Sequence, residues 1–447
     1  MKNLFNIAAF TCGIAGILGA TSCSGDDAVI PTNPKEPAAV NVTTEKIIYE
    51  ANPRMYGEQG GLVALNGKLS EIKDYGTDIV WVMPINTPGE EKSIGSPYCI
   101  KDFNGVNPRL GTKADFKALV DNAHSLGMEV ILDWVANHTA WDCPWVTEHP
   151  DWYVHDEEGN IVSPGDWADV AELNYDNKDM RAAMIAAMKS WVSETGINGF
   201  RLDNTEGVPD DFWKEAIETL RQSNPDLFIL AETSYPNAYA YGANMIYGWH
   251  FATDLSGLFN GSASQGELVN AVKEEIEQTP DDNATRIMRY SVNHDIAAEK
   301  SIAQLFGTEE GAEAAYAIAL FCGGTPMFYT SQLCNYTGTA SFFTYESADF
   351  NSAKIAGVKK LNQIFKSTAE IRQGQLSTFQ AGKCVLMEYQ LGNSHLVIAA
   401  NPNNREFEVK MPIEVAGLSV KELVSDMESV MPVAATLQPY EYRIYQR

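Results

Sequence analysis

The chain has 447 residues, of which 45% are hydrophobic and 20% charged, so it can bury a large core and is expected to be globular. With 32 Lys and Arg residues against 59 Asp and Glu residues, its formal net charge is −27. So acidic a chain excludes nucleic acid and anionic lipid as direct partners of its folded part, because both require a basic surface. The seven cysteines form no CxxC pair, so neither a zinc ribbon nor a disulfide framework is indicated.

The N-terminal residues predict export. Lys2 precedes an apolar run, residues 4–20, which is too short for a comfortable membrane span and is flanked as in a secretory signal. The run ends in Ala-Thr-Ser-Cys at residues 20–23, which resembles the lipobox of bacterial lipoproteins, where cleavage leaves a lipidated cysteine. We predict a lipoprotein signal peptide over residues 1–22 and lipidation of Cys23, with ordinary signal cleavage near Ala20 as the alternative.

The residues that follow Cys23 predict a location. Ser-Gly-Asp-Asp at residues 24–27 resembles the surface-export signal of Bacteroidetes lipoproteins, and residues 28–43 are rich in Pro, Thr and Asn, as tethers are. We therefore expect a tether over residues 23–45 in an outer membrane lipoprotein exposed at the cell surface, which touches the membrane only through its lipid anchor. A periplasmic or secreted protein is the alternative.

Residues 46–372 alternate short apolar runs with helical patterns, which is typical of a parallel βα-repeat sheet. Continuous hydrophobicity within the runs indicates strands buried on both faces. Helices are predicted at residues 112–126 and 179–194, where apolar residues recur at helical spacing. About eight such units predict a (β/α)8 TIM barrel. The predicted strands are residues 77–85, 128–135, 199–203, 227–232, 245–251, 287–293 and 325–330.

From about residue 375 the pattern changes to alternating apolar and polar residues separated by turn residues. This alternation predicts a C-terminal antiparallel β-sandwich over residues 375–447. Its predicted strands include residues 385–391, 395–401, 406–411 and 440–446.

Four of the predicted barrel strands end in an acid, namely Asp133, Asp203, Glu232 and Asp295. The carboxyl ends of barrel strands converge on one mouth, so we expect these acids to be neighbours with pKa values pushed apart. A single acid of this kind is more simply a cap or a salt bridge, but four at equivalent positions weaken that interpretation. Retaining glycoside hydrolysis uses such a pair of carboxyl groups, about 5 to 5.5 Å apart. Aromatic side chains that could stack on sugar rings follow at Trp141, Trp145, Trp152, Tyr153 and Trp167.

Four collinear motifs resemble those of the α-amylase family of glycoside hydrolases, also called glycoside hydrolase family 13. They are DWVANH at residues 133–138, GFRLD at 199–203, AET at 231–233 and VNHD at 292–295. The resemblance covers most of residues 50–340. It implies a TIM barrel with an inserted lobe after strand 3, here at about residues 137–178.

The resemblance implies a role for each matching residue. Asp203 would be the nucleophile, Glu232 the general acid and base, and Asp295 the carboxylate that grips the ring hydroxyls. Asp133 would support the site rather than react. The implied substrate-binding residues are Tyr98, His138, Arg201 and His294, with Tyr98 stacked beneath the sugar and Arg201 holding Asp203 ionised.

We therefore predict a retaining hydrolase of α-1,4-glucosidic bonds in starch or maltooligosaccharides. A 4-α-glucanotransferase and a neopullulanase are the alternatives on this scaffold, and a non-catalytic glycan-binding lipoprotein is an alternative from another class. The expected partners are the α-glucan substrate and surface glucan-uptake proteins.

Two departures from the family bear on metal binding. Glu206 and Gly207 stand where many members carry a Lys-His pair that contacts leaving-group sugars and calcium. Asn137 matches a calcium ligand of the family, but no further ligand is recognisable. The sequence thus leaves bound calcium as an option and assigns no metal ligands and no certain cofactor.

Overall fold

The computed structural model describes residues 46–447. The predicted signal peptide, Cys23 and the tether lie outside the described residues. Within residues 46–447 no helix has both the length and the apolar character needed to cross a membrane.

The predicted TIM barrel is confirmed. Eight parallel strands close into a barrel in the order β1, β2, β5, β8, β9, β10, β11 and β12, and β12 pairs back onto β1. The remaining strands of this part form two short hairpins, β3 with β4 and β6 with β7. The strands are β1 Ile48–Ala51, β2 Ile79–Val82, β3 Asn86–Pro88, β4 Ile100–Val106, β5 Glu129–Val135, β6 His138–Ala140, β7 Val170–Glu172, β8 Gly199–Asp203, β9 Phe228–Ala231, β10 Met245–Tyr247, β11 Ile287–Arg289 and β12 Thr325–Tyr329.

Helices surround the barrel, and their ends carry the side chains that favour helix termini. Thr112 begins α2 with a capping box to Asp115, and Asn177 caps α4, which ends at Gly196 with a φ of +79°. The helices are α1 Gly61–Asp74, α2 Lys113–Ser125, α3 Pro144–Glu148, α4 Lys178–Thr195, α5 Asp210–Arg221, α6 Ala238–Tyr241, α7 Trp249–Asn260, α8 Gln265–Glu277, α9 His294–Glu299, α10 Ile302–Phe306, α11 Glu309–Phe321, α12 Ser352–Ser367 and α13 Ala369–Gln373.

Two cores support the barrel. The larger lies mainly between the strands and the surrounding helices and continues into the C-terminal sheet. The smaller fills the barrel interior, where Trp81 of β2 meets Tyr247 of β10 edge to face, with ring centroids 6.4 Å apart. This packed interior is the floor beneath the mouth of the barrel.

The structure corrects two details of the predicted strands. The first barrel strand, β1, was not among the predicted runs, because Glu50 interrupts its short apolar stretch. The run at residues 287–293 forms a strand only as far as Arg289, and Asn293 then caps α9 by accepting a hydrogen bond from the backbone of Ile296. Asp295 therefore lies in the first turn of a helix and not at a strand end.

The predicted C-terminal antiparallel domain is also confirmed. A six-stranded sheet in the order β13, β14, β15, β20, β17, β18 packs on a two-stranded sheet of β16 and β19, with apolar side chains from both sheets between them. Four of the eight strands, β13, β17, β18 and β19, were not predicted. The strands are β13 Gln375–Ala381, β14 Cys384–Leu391, β15 Ser394–Ala400, β16 Phe407–Lys410, β17 Ser419–Glu422, β18 Met427–Val430, β19 Ala434–Leu437 and β20 Tyr442–Gln446.

Candidate active site

The barrel register places Asp133 and Arg201 side by side on neighbouring strands. Asp133 of β5 is the direct partner of Arg201 of β8, and Asp203 is the last residue of β8. Glu232 follows β9, and its backbone amide donates to the carbonyl of Leu202. The carboxylates that the sequence singled out therefore share the carboxyl end of the barrel.

A single guanidinium joins three of these carboxylates. Arg201 has no exposed side-chain surface, and its Nη1 donates to Asp133 Oδ1 at 2.9 Å and to Asp203 Oδ1 at 2.7 Å. Its Nη2 lies 2.6 Å from Glu232 Oε1, in an ion-pair contact without the alignment of a hydrogen bond. Its Nε donates to the hydroxyl of Tyr247 at 3.0 Å. Since buried charges need partners, the three contacts fix the arginine and hold Asp203 and Glu232 beside each other.

The four carboxylates differ in their exposure to solvent. The side chain of Asp133 is fully buried, those of Asp203 and Glu232 are 12% and 15% exposed, and that of Asp295 is 46% exposed. Asp133 also accepts hydrogen bonds from Trp81 Nε1 at 3.0 Å and from the Tyr98 hydroxyl at 3.2 Å. Asp133 is thus closed off beneath the site, whereas the other three carboxylates can reach a ligand.

The environment separates the protonation of these acids. Burial raises the pKa of Glu232 to about 8; the nearby charge of Arg201 opposes this shift, and those of Asp203 and Asp295 add to it. Burial also raises the pKa of Asp133 to about 6, against the lowering effect of Arg201. Glu232 is therefore protonated at neutral pH, which is the state that a proton donor needs.

A strained residue next to Asp203 aims a backbone donor at Glu232. Asn204 has a φ of +40° and a ψ of 58°, in the left-handed region that asparagine tolerates better than most residues. Its N–H donates to Glu232 Oε2 at 2.6 Å. A residue other than glycine in this backbone region costs roughly 1–3 kcal/mol of folding free energy. The surrounding structure therefore has to hold Asn204 in this conformation, and the hydrogen bond to Glu232 depends on it.

A second cluster lies across the mouth around His294. Its Nδ1 is 2.5 Å from Glu50 Oε1, and its Nε2 is 2.8 Å from the Tyr98 hydroxyl and 3.2 Å from Asp295 Oδ1. Tyr98 lies in the loop between β3 and β4, and its ring stacks on that of His294 with centroids 5.4 Å apart. Burial would raise the pKa of Asp295, but the charge and hydrogen bond of His294 outweigh it and lower that pKa.

His138 and one lobe tryptophan complete the wall of the site. His138, in β6, is buried, its Nε2 lies 3.2 Å from the carbonyl of Tyr98, and burial lowers its pKa. Trp167 is 41% exposed and meets His138 edge to face. Trp152 and Tyr153, in contrast, are buried within the lobe. The aromatic residues of the lobe are therefore partly an extension of the larger core and do not all form one sugar-stacking surface.

The residues around Asn137 do not fit a calcium site. Asn137 Oδ1 packs against Gly207, where an added Cβ would lie 2.4 Å from it and 2.7 Å from Asn204 Nδ2. Glu206 turns away and accepts a hydrogen bond from the Thr233 hydroxyl at 2.9 Å. In residues 46–447 no group of three or more His, Cys, Asp or Glu side chains is placed to hold a metal ion. Calcium prefers several oxygen ligands, carboxylates among them, and the described residues offer no cluster of acidic side chains beside Asn137.

Two contributors were missed by the sequence reasoning. Glu50 is an isolated acid within an apolar strand, and only the closed barrel brings it to His294. Asn204 acts through its backbone, and its only sequence signal was an Asn directly after the acid-bearing run.

Comparison with known proteins agrees with this geometry. The family profile described as α-amylase catalytic domain matches residues 37–375. The α-amylase MalA of Haloarcula japonica is 26% identical over 354 residues, which are 76% of this chain and 51% of that protein. The α-1,4-glucan:maltose-1-phosphate maltosyltransferase of Rhodospirillum rubrum is 30% identical over 263 residues, 52% of this chain and 37% of that protein. The chain thus spans about half of the first relative and less of the second.

A solved structure agrees over a larger share. The crystal structure of an α-amylase from Lactobacillus plantarum superposes with a TM-score of 0.79 at 27% identity, covering 90% of this chain and 99% of that one. The barrel and the C-terminal sheet domain together therefore form a known architecture.

Proposed function

The chain belongs to the α-amylase family, and from that membership we propose that it is a retaining glycoside hydrolase of α-1,4-glucosidic bonds in starch or maltooligosaccharides. The observation that carries the proposal is the Arg201 guanidinium in contact with both Asp203 and Glu232. In this proposal Asp203 is the nucleophilic carboxylate, and its neighbour Glu232, whose pKa burial raises to about 8, is the acid. Retention requires this division of labour.

In the proposed first step, Asp203 attacks the anomeric carbon while Glu232 gives its proton to the departing glycosidic oxygen. The bond between the sugar and the leaving group breaks as the ester to Asp203 forms. Arg201 donates a hydrogen bond to the Asp203 carboxylate and aligns it before attack.

In the second step, Glu232, now a carboxylate, takes a proton from water. The water oxygen attacks the anomeric carbon, and Asp203 leaves as a carboxylate. Asp295, His294, His138 and Tyr98 line the space where the sugar ring would sit, and we assign them to its hydroxyls and its apolar face.

The test is reducing-end release from soluble starch, with Asp203→Asn as the matched control. The proposal expects turnover by the native chain, the α-anomer as first product by proton NMR, and a loss of several orders of magnitude in the variant. No release from starch, pullulan, maltodextrins or sucrose would instead favour a non-catalytic glycan-binding protein. A β-anomer as first product would refute retention.

Transfer to a sugar acceptor is the second candidate, because the relative from Rhodospirillum rubrum is a maltosyltransferase. Water and a sugar hydroxyl compete for the same glycosyl-enzyme, so the two reactions differ only in the acceptor. Product analysis on maltoheptaose separates them, since chains longer than the substrate indicate a 4-α-glucanotransferase. Cleavage of pullulan with release of panose indicates a neopullulanase.

For the N-terminal residues we propose lipidation of Cys23 and display at the outer surface of the outer membrane, in the company of glucan-uptake proteins. The proposal is supported by the lipobox-like residues 20–23 and the acidic residues that follow. Incorporation of labelled palmitate, lost in Cys23→Ala, tests the anchor. Sensitivity to protease added to intact cells tests the location, and a protected protein would contradict surface exposure.

A further inference from the structure

A buried carboxylate lies beneath the proposed site, and the reaction as described does not use it. Glu50 of β1 has no exposed surface, and its Oε1 lies 2.5 Å from His294 Nδ1. Its Oε2 is buried and accepts no hydrogen bond from any of the described residues. Burying a carboxylate with one unpartnered oxygen costs folding free energy, so Glu50 lowers the stability of the barrel.

The second nitrogen of His294 shows what this contact does. The Tyr98 hydroxyl donates its hydrogen to Asp133 Oδ2, so its oxygen can only accept from His294 Nε2. His294 Nδ1 faces the Glu50 carboxylate, which also only accepts while it is ionised. Burial raises the pKa of Glu50, and the charge and hydrogen bond of His294 oppose that shift and favour the ionised carboxylate. A neutral imidazole has one N–H and cannot serve both sides, whereas an imidazolium donates from both nitrogens.

We infer that Glu50 is a positioning residue that keeps His294 doubly protonated, so that Nε2–H is aimed at Tyr98 and Asp295 on the substrate side. This inference rests on the proposed function for its effect on catalysis, but not for the state of the imidazole. Glu50 is fully buried, and its side-chain hydrogen bond within the described residues is the one to His294, so we assign its effect to that imidazole.

The groups around His294 favour the charged imidazole. Glu50 faces it from β1, and Asp295 and Tyr98 face its other nitrogen. Trp81 and Phe342 pack their rings against it edge to face and carry no charge. Burial alone would lower the pKa of His294, but the carboxylates of Asp295 and Glu50 raise it well above its usual value.

The distribution of charge in the barrel mouth also favours a protonated His294. Arg201 donates hydrogen bonds to Asp133 and Asp203 and lies in ion-pair contact with Glu232, so it is already shared among three acids. A protonated His294 is a second cation in the mouth of the barrel, between Glu50 and Asp295. Among the described residues Arg201 forms no ion pair with either of these two acids. Loss of the Glu50 charge would remove one of the two carboxylates that hold this proton.

The variants to compare are Glu50→Gln, which keeps an acceptor for Nδ1–H but removes the charge, and Glu388→Gln as the matched control. Glu388 is equally buried in the C-terminal sheet, its Oε1 lies 2.6 Å from His395 Nδ1, and its Oε2 is likewise unpartnered. The same chemical change is therefore made at two buried carboxylate–histidine pairs, of which only one adjoins the barrel mouth.

The kinetic measurement is kcat/KM on a maltooligosaccharide from pH 5 to 9. Glu232 sets the descending alkaline limb of the native chain near pH 8, and we expect Glu50→Gln to bring the deprotonation of His294 below it, so that the limb moves down by about one pH unit. The Glu388→Gln profile should match that of the native chain. A loss in Glu50→Gln by the same factor at every pH, or no change, would overturn the inference.

A second measurement is independent of activity and of how well Glu50→Gln and Glu388→Gln fold. The chain has seven histidines, so nitrogen-15 NMR of the native protein can follow each imidazole, with His294 identified by its absence in His294→Asn. The inference expects both ring nitrogens of His294 to stay protonated at pH 8. A neutral His294 at pH 7 would refute it even in an active enzyme, whereas a protonated His294 in an inactive protein would refute only the proposed function.

Discussion

Replacing Glu232 by Gln should stabilise the protein while it abolishes hydrolysis. Burial raises the pKa of Glu232 from 4.5 to about 8 in the folded state, whereas in the unfolded chain the group keeps its ordinary pKa. Between these values the folded protein holds a proton that the unfolded chain has released. The Glu232 contribution to stability is therefore fully present below pH 4.5 and falls by about 1.4 kcal/mol per pH unit up to pH 8.

The size of the effect follows from this slope. Gln does not titrate, so the stability difference between variant and native chain should grow by about 2 to 3 kcal/mol between pH 5 and pH 7. For a chain of about 400 residues the entropy of unfolding is about 0.8 kcal/mol per degree, so the gain in Tm should grow by about 3 °C over that range. Because the Glu232 side chain is only 15% exposed, solvent screening removes little of this difference.

The assay is thermal unfolding of both proteins at pH 5, 6 and 7, at one scan rate, with Glu218→Gln on the exposed face of α5 as control. The Glu218 variant should follow the native chain at each pH. A Tm gain in Glu232→Gln that is equal at all three pH values would refute the reasoning, because it would mean that the substitution acts through packing and not through a displaced proton.

Four further predictions follow from the same geometry. Asn204→Gly should keep kcat close to native because glycine adopts a positive φ freely, whereas Asn204→Val should lower both kcat and Tm, since a β-branched residue there costs roughly 1–3 kcal/mol. Arg201→Lys should lower kcat/KM at least about a hundredfold, because an ammonium cannot reach all three carboxylates and about 3 kcal/mol of their stabilisation is lost. In the native chain kcat/KM should fall above about pH 8 as Glu232 ionises, and a decline already complete at pH 6 would contradict its role as acid. Chelators should leave the rate unchanged, because in residues 46–447 no cluster of acidic, His or Cys side chains is placed to hold a metal ion, and a rate restored only by added calcium would contradict this.

The barrel could be predicted from sequence because its strands are buried on both faces and read as apolar runs. Strand β8 was predicted at its observed bounds, since a glycine begins it and Asp203 ends it. Some short strands were not predicted, because their residues carry no pattern of burial. β18 is exposed at all four positions and lies at the edge of its sheet, so no alternation of buried and exposed residues marks it.

The sequence could indicate most residues of the candidate site but not the hydrogen bonds that join them. Motif and repeat position indicated Asp203 and Glu232, but the backbone bond from Asn204 to Glu232 depends on a φ angle that no sequence pattern encodes. Asp295 was indicated at a strand end and lies in a helix, because Asn293 stops the extended run by capping α9. Glu50 had no signal, since its partner is 244 residues away along the chain.

The guanidinium shared between Asp203 and Glu232 also sets the timing of the proposed reaction. When Asp203 becomes an ester it loses its negative charge, so it no longer repels charge on Glu232 and no longer competes for Arg201. The affinity of Glu232 for its proton then drops at the moment at which it has given that proton away. One fixed cation can thus alternate the same glutamate between acid and base, without any movement of the backbone.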